Sequence, residues 1–289
     1  MDTPGARRKS CVVTGATSGI GLEAARLLAA AGMTVFGIGR TADACRWART
    51  AVLAEAPGAD VRFIPADLSS LANVRSAAAA IRSALPGSRL DRLIHNAATV
   101  SPRYAGTAEG YERQFVVNYL AAFLLTRELF PCLVRPAEAR IIAVSSGAHR
   151  RCRIDWDDLM GRRRYRCIKA YRRSKLALVI FALELNRRVV ARFPVRAIGV
   201  EPGVVDTDLG EKTTGGLVKV YWRNRRKRGR PPAEAAADVV RLAVEPSTDI
   251  PAEYWRLRRP CEPSGYARRV DAALRLWQLS EKLCGTDFL

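Results

Sequence analysis

The sequence predicts one doubly wound α/β domain, in which a parallel sheet carries helices on both faces. Six short apolar segments alternate with longer Ala- and Leu-rich segments between residues 10 and 201. Strands that are apolar throughout are typical of a parallel sheet covered on both faces, and parallel strands require connections of helical length. With 289 residues the chain can bury a large core, and no Ser- and Gly-rich linker divides it. Residues 1–289 are therefore predicted to form a single domain.

The predicted elements follow one another in alternation. The strands are Cys11–Thr14, Thr34–Gly39, Val61–Pro65, Arg92–His95, Arg140–Ser145 and Arg196–Val200. The helices between them are Ile20–Ala31, Asp43–Ala56, Leu71–Leu85, Tyr111–Val134 and Tyr171–Arg192. After a Pro-rich loop, a final amphipathic helix is expected near Tyr266–Leu283.

The charge of the chain is strongly positive, because 48 Lys and Arg residues face 28 Asp and Glu residues. Eleven of the basic residues lie between His149 and Lys175, and seven lie in Lys219–Arg230. Such segments can attract an anionic substrate, the acidic face of a carrier protein, or nucleic acid. They can equally be solvated loops, and Arg-rich composition is also typical of a GC-rich genome. No helix-turn-helix, zinc or RNA-binding motif accompanies them, so no specific nucleic acid is expected.

The cysteines and histidines give little support to a metal site or a disulfide framework. The seven cysteines are scattered without a CxxC pair, and only two histidines, His95 and His149, are present. This usage indicates a reducing compartment. The first nine residues have no apolar core of a signal peptide, and no apolar run approaches the ~20 residues that span a bilayer. The expectation is a cytoplasmic protein without a membrane span.

The strongest local signal is the glycine-rich segment Thr14–Gly21, which lies between the first strand and the first helix. Gly15 allows a tight turn, Gly19 lets the backbone approach a pyrophosphate, and Gly21 lets helix and strand pack closely. The helix amino terminus offers unpaired N–H groups to a phosphate. Within this segment the predicted cofactor contacts are Gly15, Thr17, Ser18, Gly19, Ile20 and Gly21. An ordinary Gly-rich turn is the alternative.

The end of the second strand predicts which nicotinamide cofactor is used. An acidic residue there would bind the ribose 2′-hydroxyl of NAD, whereas this chain has Arg40. A guanidinium can pair with a 2′-phosphate through two parallel hydrogen bonds. The sequence therefore predicts that NADPH is preferred over NADH, unless Arg40 is merely one more of many arginines.

Several further motifs occur in a fixed order. They are Asp67-Leu68, His95-Asn96-Ala97-Ala98, Asn118, Ser145-Ser146, Tyr171-Arg-Arg-Ser-Lys175 and Pro202-Gly-Val-Val-Asp-Thr207. With the glycine turn, they make the chain resemble the short-chain dehydrogenases/reductases, in particular the branch of retinol dehydrogenase-like and protochlorophyllide reductase-like enzymes. The resemblance runs from about Ser10 to Gly285. It implies a Rossmann fold with strand order 3-2-1-4-5-6-7, the seventh strand near Glu253–Arg256, and a substrate lid in residues 210–263, with residues 264–289 packed on the domain.

The predicted catalytic residues are Asn118, Ser146, Tyr171 and Lys175. Tyr171 and Lys175 are four residues apart on a predicted helix, so they share one face. A nearby ammonium lowers the pKa of a tyrosine from its usual value near ~10. The resemblance implies that Tyr171 is the acid and base, that Lys175 also binds the nicotinamide ribose, that Ser146 holds the carbonyl oxygen, and that Asn118 anchors a proton relay.

The resemblance also implies further cofactor contacts. They are Asp67 and Leu68 at the adenine, Asn96 and Ala97 beside the central strands, and Pro202, Gly203, Val205 and Thr207 near the nicotinamide. Tyr165 has the wrong spacing to Lys175 and is expected in the pocket wall or at the surface. His95 is expected to be structural.

Three departures from the family pattern concern the substrate. Ala98 stands where a glycine is common, and Glu201 stands where the branch often has His. An insertion, Arg150–Lys169, is expected to form an arm beside the active-site mouth.

The predicted function is NADPH-dependent hydride transfer to or from a carbonyl or secondary alcohol, as in a ketoreductase of secondary metabolism. A basic nucleic-acid-binding protein, a cofactor-sensing regulator, and a homodimer paired through the Tyr171 helix are left open.

Overall fold

A computed structural model describes residues 8–209, 220, 223–224, 226–250 and 252–289 of the chain. Within the basic segment Lys219–Arg230, residues 219, 221, 222 and 225 lie outside the described residues. The strands are β1 (Ser10–Thr14), β2 (Thr34–Gly39), β3 (Val61–Pro65), β4 (Arg92–His95), β5 (Ala139–Val144), β6 (Val195–Glu201), β7 (Tyr254–Arg256) and β8 (Arg259–Pro260).

Seven helices of three turns or more accompany these strands in the described residues. They are α1 (Gly19–Ala30), α2 (Ala42–Glu55), α3 (Leu71–Ala84), α4 (Arg113–Leu133), α5 (Cys167–Val189), α6 (Pro232–Val244) and α7 (Val270–Cys284). Helix α4 contains a π-helical turn at Val116–Leu120, between an initial α-helical turn and the longer α-helical part. Short 3-10 turns lie at Pro86–Ser88, Gly147–Arg151, Ser247–Asp249 and Gly265–Arg268.

One eight-stranded sheet forms the centre of the molecule, in the order β3-β2-β1-β4-β5-β6-β7-β8. The first seven strands pair in parallel, so the predicted fold and strand order are confirmed. The eighth strand was not predicted; it pairs antiparallel with β7 through a tight turn at Leu257, whose φ is +54°. The chain adds β2 and β3 on one side of β1 and then crosses over to add β4 on its other side. Because the strand order reverses at this point, a crevice opens at the carboxyl ends of β1 and β4, where such folds bind ligands.

Apolar residues from both faces of the sheet form two cores. Within β1, Val12 packs on one side with α3, α4, α5 and α7, whereas Cys11 and Val13 pack on the other side with α1, α2 and α6. This alternation is the two-residue period of a strand covered on both faces. Trp277 of α7 packs against Phe123, Phe181 and Phe288, so the carboxyl-terminal helix is part of the first core.

The range predicted as a lid, residues 210–263, is described in part. Helix α6 lies within it and packs against α1, with Ala236 and Val239 fully buried in the second core. Strand β7 also lies within it and extends the central sheet. These two elements therefore belong to the body of the domain. Residues 210–219, 221–222, 225 and 251 of the predicted lid lie outside the described residues.

Helix α4 has the length and composition of a membrane-crossing helix, although no apolar run near that length was expected. It is the one helix with this property among the described residues, and 78% of its apolar window is buried inside the protein. It lies between α3 and α5, against the sheet. Its apolarity is accounted for by packing in the protein core.

Candidate active site

A large cleft opens at the carboxyl ends of β1, β2, β4, β5 and β6. Its volume is about 970 Å³. The cleft is lined by the glycine turn on one side and by the first turns of α5 on the other. Of the predicted site residues, Asn118 and Gly21 lie behind this lining; those that line the cleft are Gly15, Thr17, Ser18, Gly19, Ile20, Arg40, Asp67, Leu68, Asn96, Ala97, Ser146, Tyr171, Lys175, Pro202, Gly203, Val205 and Thr207.

The glycine turn is shaped by close packing that side chains would prevent. Gly15 has a φ of +66°, which L side chains rarely adopt, and a Cβ on Gly21 would lie 2.2 Å from the Gly15 carbonyl oxygen. Ser18 stands at the N-cap of α1, where its side chain makes no capping hydrogen bond. The turn thus leaves a low backbone surface and a helix amino terminus at the cleft, which suits a pyrophosphate.

Asn96 fastens this turn to the neighbouring strand. Its amide nitrogen donates to the carbonyl oxygens of Thr14 at 3.0 Å and Gly15 at 3.3 Å. The Thr14 hydroxyl in turn accepts the backbone N–H groups of Asn96 and Ala97, both at 3.0 Å. Asn96 therefore connects the glycine turn to β4 and also lines the cleft.

The adenosine end of the cleft carries Arg40 and Asp67. Arg40 directly follows β2, is exposed, and its side chain makes no hydrogen bond or ion pair with the described residues. Asp67 accepts the backbone N–H of Ser69 at 2.9 Å. At Gly39, before Arg40, a Cβ would lie 2.2 Å from a methyl carbon of Thr17, so the strand must end on glycine for the two loops to meet.

The other end of the cleft brings Tyr171, Lys175 and Ser146 together. Tyr171 and Lys175 are buried on one face of α5, and both line the cleft. The Lys175 ammonium donates to the Val144 carbonyl oxygen at 2.8 Å, and burial lowers the pKa of Lys175 to about 8. The Ser146 hydroxyl accepts the Ala148 N–H at 3.3 Å, where it caps the 3-10 turn that follows β5. A group bound here meets a phenol, an ammonium and a hydroxyl.

Asn118 lies in the π-helical turn of α4, behind Tyr171 and Lys175. Its amide nitrogen donates to the Thr99 carbonyl oxygen at 3.1 Å and to the Ser174 hydroxyl at 2.9 Å, and its oxygen accepts the Thr99 N–H at 2.7 Å. Single π turns inside helices are frequent at functional sites. Here the turn joins Asn118 to α5 through Ser174, a partner that the sequence did not indicate.

Glu201 is the buried acidic residue of the cleft wall. It accepts from Arg150 at 2.9 Å and from the Tyr254 hydroxyl at 3.1 Å. Arg150 also donates to the Glu262 carbonyl oxygen at 2.9 Å. Glu201 is therefore compensated by a partner from the insertion, and this pairing explains how a carboxylate can be accommodated at that position.

His149 joins the turn after β5, which Ser146 caps, to the carboxyl-terminal segment. Its Nε2 accepts the Ser264 N–H at 3.1 Å, so the proton of the neutral imidazole lies on Nδ1 and is donated to the Ser146 carbonyl oxygen at 2.8 Å. Burial lowers the pKa of His149. The sequence assigned no role to this residue, since its partner Ser264 is 115 residues away.

Two residues with uncertain sequence roles lie away from the cleft. His95 is buried and its Nε2 hydrogen-bonds with the Thr126 hydroxyl at 2.7 Å; burial lowers its pKa to about 3. It is structural, as predicted. Tyr165 does not line the cleft; it is partly buried and packs against the cluster of Val100, Cys167 and Tyr171. Its hydroxyl donates to the Ser101 carbonyl oxygen at 2.8 Å and accepts from Gln114.

The insertion packs on the domain more closely than the expected arm. Ile154 and Leu159 are buried in the first core, and Trp156 is stacked by the Arg275 guanidinium. Only the beginning and end of the insertion, at Arg150, Arg151 and Ile168, line the cleft.

The chain is similar to known proteins in both sequence and structure. The sequence model of the short chain dehydrogenase family matches residues 9–216. The chain belongs to this family. It is 37% identical to mouse (Mus musculus) polyprenol dehydrogenase, over 95% of this chain and 83% of that protein, and 35% identical to human (Homo sapiens) retinol dehydrogenase 13, over 96% and 85%. A solved structure of an uncharacterised protein from Mycobacterium paratuberculosis is 32% identical and superposes with a TM-score of 0.77, covering 97% of this chain and 95% of that one.

As a member of the short-chain dehydrogenase family, the protein is an oxidoreductase that uses a nicotinamide cofactor. Its retinol dehydrogenase-like branch, which the sequence resembles, is confirmed by these relatives. All seven cysteines are free thiols in the structure. The described residues contain no group of three or more His, Cys, Asp or Glu side chains that could hold a metal ion.

Proposed function

We propose that this short-chain dehydrogenase is an NADPH-dependent oxidoreductase that interconverts a carbonyl and an alcohol, with Tyr171 as its acid and base. The observation that carries the proposal is the placement of Tyr171, Lys175 and Ser146 at one end of a cleft whose other end is the glycine turn. A ketoreductase of secondary metabolism in a reducing, cytoplasmic setting is the corresponding physiological role.

The residues present fit the cofactor. The glycine turn leaves room that a Cβ would fill, and the unshielded amino terminus of α1 faces it. Asp67 and Leu68 would hold the adenine, Lys175 the nicotinamide ribose, and Thr207 with the backbone from Pro202 to Val205 the nicotinamide. When bound, the nicotinamide supplies or accepts the hydride.

Arg40 supports a preference for NADPH. Its guanidinium is exposed at the cleft and has no partner among the described residues, so a 2′-phosphate would gain two charge-assisted hydrogen bonds without breaking an ion pair. No carboxylate stands at this position to bind a 2′-hydroxyl.

The chain's own residues would donate the proton to the substrate and replace it. With a pKa of about 8, Lys175 is mostly an ammonium at pH 7. It favours the phenolate of Tyr171 and so lowers the barrier to proton transfer from the phenol. Ser146 donates to the substrate oxygen as negative charge develops there. Asn118, fixed between Thr99 and Ser174, anchors the path by which the proton is replaced.

The test is Tyr171→Phe, compared with Tyr104→Phe as the control. Tyr104 is an exposed tyrosine outside the cleft. Turnover of carbonyl substrates, followed by NADPH absorbance, is expected to fall at least about a thousandfold in Tyr171→Phe, while NADPH affinity stays within threefold. Tyr104→Phe is expected to match the unmodified protein. Retained turnover in Tyr171→Phe would refute the assignment of the proton donor.

The alternatives from other classes are not favoured. Family membership points to an enzyme, and the Tyr171–Lys175 pair is present where a cofactor sensor would not need it. Homodimer formation through α5 stays a prediction. Gel filtration with light scattering measures it directly.

A further inference from the structure

The substrate end of the cleft combines an apolar wall with arginines that have no acidic partner among the described residues. We propose that the substrate is an amphipathic anion, namely an apolar carbonyl or alcohol that also carries a carboxylate or phosphate. This inference rests on the proposed function, because it names the substrate class for the same site.

The apolar wall surrounds Tyr171. Val100, Cys167 and Tyr171 form a small buried cluster, separate from the two large cores, and Ala148, Tyr165, Ile168 and Leu209 pack against it. Five of these residues line the cleft, whereas Cys167 and Tyr165 lie behind it. An apolar chain bound beside the phenol would therefore be removed from water, and its affinity would grow with the area buried.

Two arginines border this wall. Arg172 directly follows Tyr171 on α5, and Arg151 ends the 3-10 turn that Ser146 caps, so both project from the elements that carry the reacting groups. Both line the cleft. Neither makes a hydrogen bond or ion pair with any residue in the described part of the chain.

Three other arginines of the cleft face carboxylates. Arg150 and Arg256 lie beside Glu201, and Arg226 pairs with Asp206 and Asp208.

Arg40 lies at the adenosine end, and Arg113, at the start of α4, makes no ion pair with the described residues. Arg151 and Arg172 differ from both because they lie on the elements that carry Ser146 and Tyr171. They supply positive charge at the reacting end of the cleft.

Uncompensated guanidinium groups beside an apolar wall discriminate between substrates. A neutral apolar substrate would cover them and remove water from them without supplying an acceptor, which is unfavourable. An anionic group at the end of an apolar chain supplies the acceptor, and a guanidinium fits carboxylate or phosphate with two parallel hydrogen bonds.

The test measures binding to the protein–NADPH complex by titration calorimetry. The probes share one apolar chain and differ in the end group: octanoate, octyl phosphate and octanol. At 20 mM salt, at least one anion is expected to bind about tenfold or more tightly than octanol, and the advantage is expected to shrink at 300 mM salt because the attraction is electrostatic. A carboxylate or a phosphate preference identifies the end group.

Arg172→Gln and Arg151→Gln are each expected to weaken binding of the preferred anion about fivefold to tenfold and to change octanol binding less than twofold. The control is Arg163→Gln, since Arg163 is an exposed arginine of the insertion Arg150–Lys169 and does not line the cleft. NADPH affinity is measured in parallel for every variant. Octanol bound as tightly as both anions, or anion binding unchanged in both variants, would overturn the inference.

Turnover of octanal, 8-oxooctanoate and 8-oxooctyl phosphate with NADPH separates the inference from the proposed function. Reduction of octanal with a kcat/KM equal to those of the charged aldehydes leaves the oxidoreductase standing and overturns the anion. Anion binding that depends on Arg172, without reduction of any of the three aldehydes, supports the anion-binding site and counts against the carbonyl chemistry.

Discussion

Lys175 is predicted to destabilise the fold that it serves. Its side chain is 2% exposed, and burial lowers its pKa from 10.5 to about 8. A difference of this size corresponds to about 3 kcal/mol of unfavourable free energy for burying the ammonium at neutral pH. The hydrogen bond to Val144 offsets about 1 kcal/mol of it. Lys175→Met, which nearly preserves the length of the chain, is therefore expected to raise the free energy of unfolding by about 1–2 kcal/mol at pH 7 and to abolish turnover.

The pH dependence gives the same prediction an independent check. Between pH 8 and 10.5 the unfolded chain keeps the proton that the folded Lys175 releases, so this residue makes the unmodified protein more stable as the pH rises through that interval. The Met variant lacks this contribution. The stability difference between the two proteins should be largest below pH 8 and should decrease towards pH 10.

Urea denaturation of both proteins without cofactor, at pH 7, 8, 9 and 10, measures these differences. Lys282→Met provides a control, because Lys282 is exposed on α7 and does not line the cleft. A Met variant at position 175 that is less stable than the unmodified protein at pH 7, or a difference independent of pH, would refute the reasoning.

Three further predictions concern the cofactor turn, the phosphate contact and the buried imidazole. Gly21→Ala is expected to lower the free energy of unfolding by about 1–3 kcal/mol and to weaken NADPH binding at least tenfold, because the Cβ overlaps the Gly15 carbonyl. The control Gly58→Ala, with open space around its Cβ, should change neither quantity. Thermal denaturation and NADPH titration measure the two effects. Arg40→Ala should weaken NADPH binding about tenfold and leave NADH binding unchanged, with equal losses for both cofactors contradicting the assignment. His149→Phe removes two hydrogen bonds of a buried ring and should reduce both the urea midpoint of unfolding and kcat. An unchanged kcat would show that the imidazole does not position the turn that carries Ser146.

The sheet and the cofactor turn could be predicted because their signals are local. Each of the six predicted strands lies within a residue or two of the observed one, since an apolar run with glycine or polar ends is short and contiguous. Strand β8 could not be predicted, because its turn uses Leu257 at positive φ in place of Gly or Asn. Helix α5 begins four residues before the predicted start, at Cys167, since Arg166 provides no side-chain cap that marks the boundary.

The same distinction applies to the active site. The motif residues lie in contiguous segments, so the sequence could single out Ser146, Tyr171 and Lys175, which the structure brings to one end of the cleft. The contacts that support them join distant parts of the chain. His149 meets Ser264 across 115 residues, and Arg150 meets Glu201 across 51. Such contacts can be identified only from the structure, because it shows the insertion packed beside β6 and the carboxyl-terminal segment.

The most direct test of the account is a titration of the unmodified protein with NADPH and with NADH at 0.15 M salt. Energy transfer from its tryptophans to the nicotinamide reports binding without any need for a substrate. The account predicts saturable binding of NADPH at one site per chain, at least tenfold tighter than that of NADH. No saturable binding of either nucleotide up to millimolar concentration would contradict the assignment of the cleft.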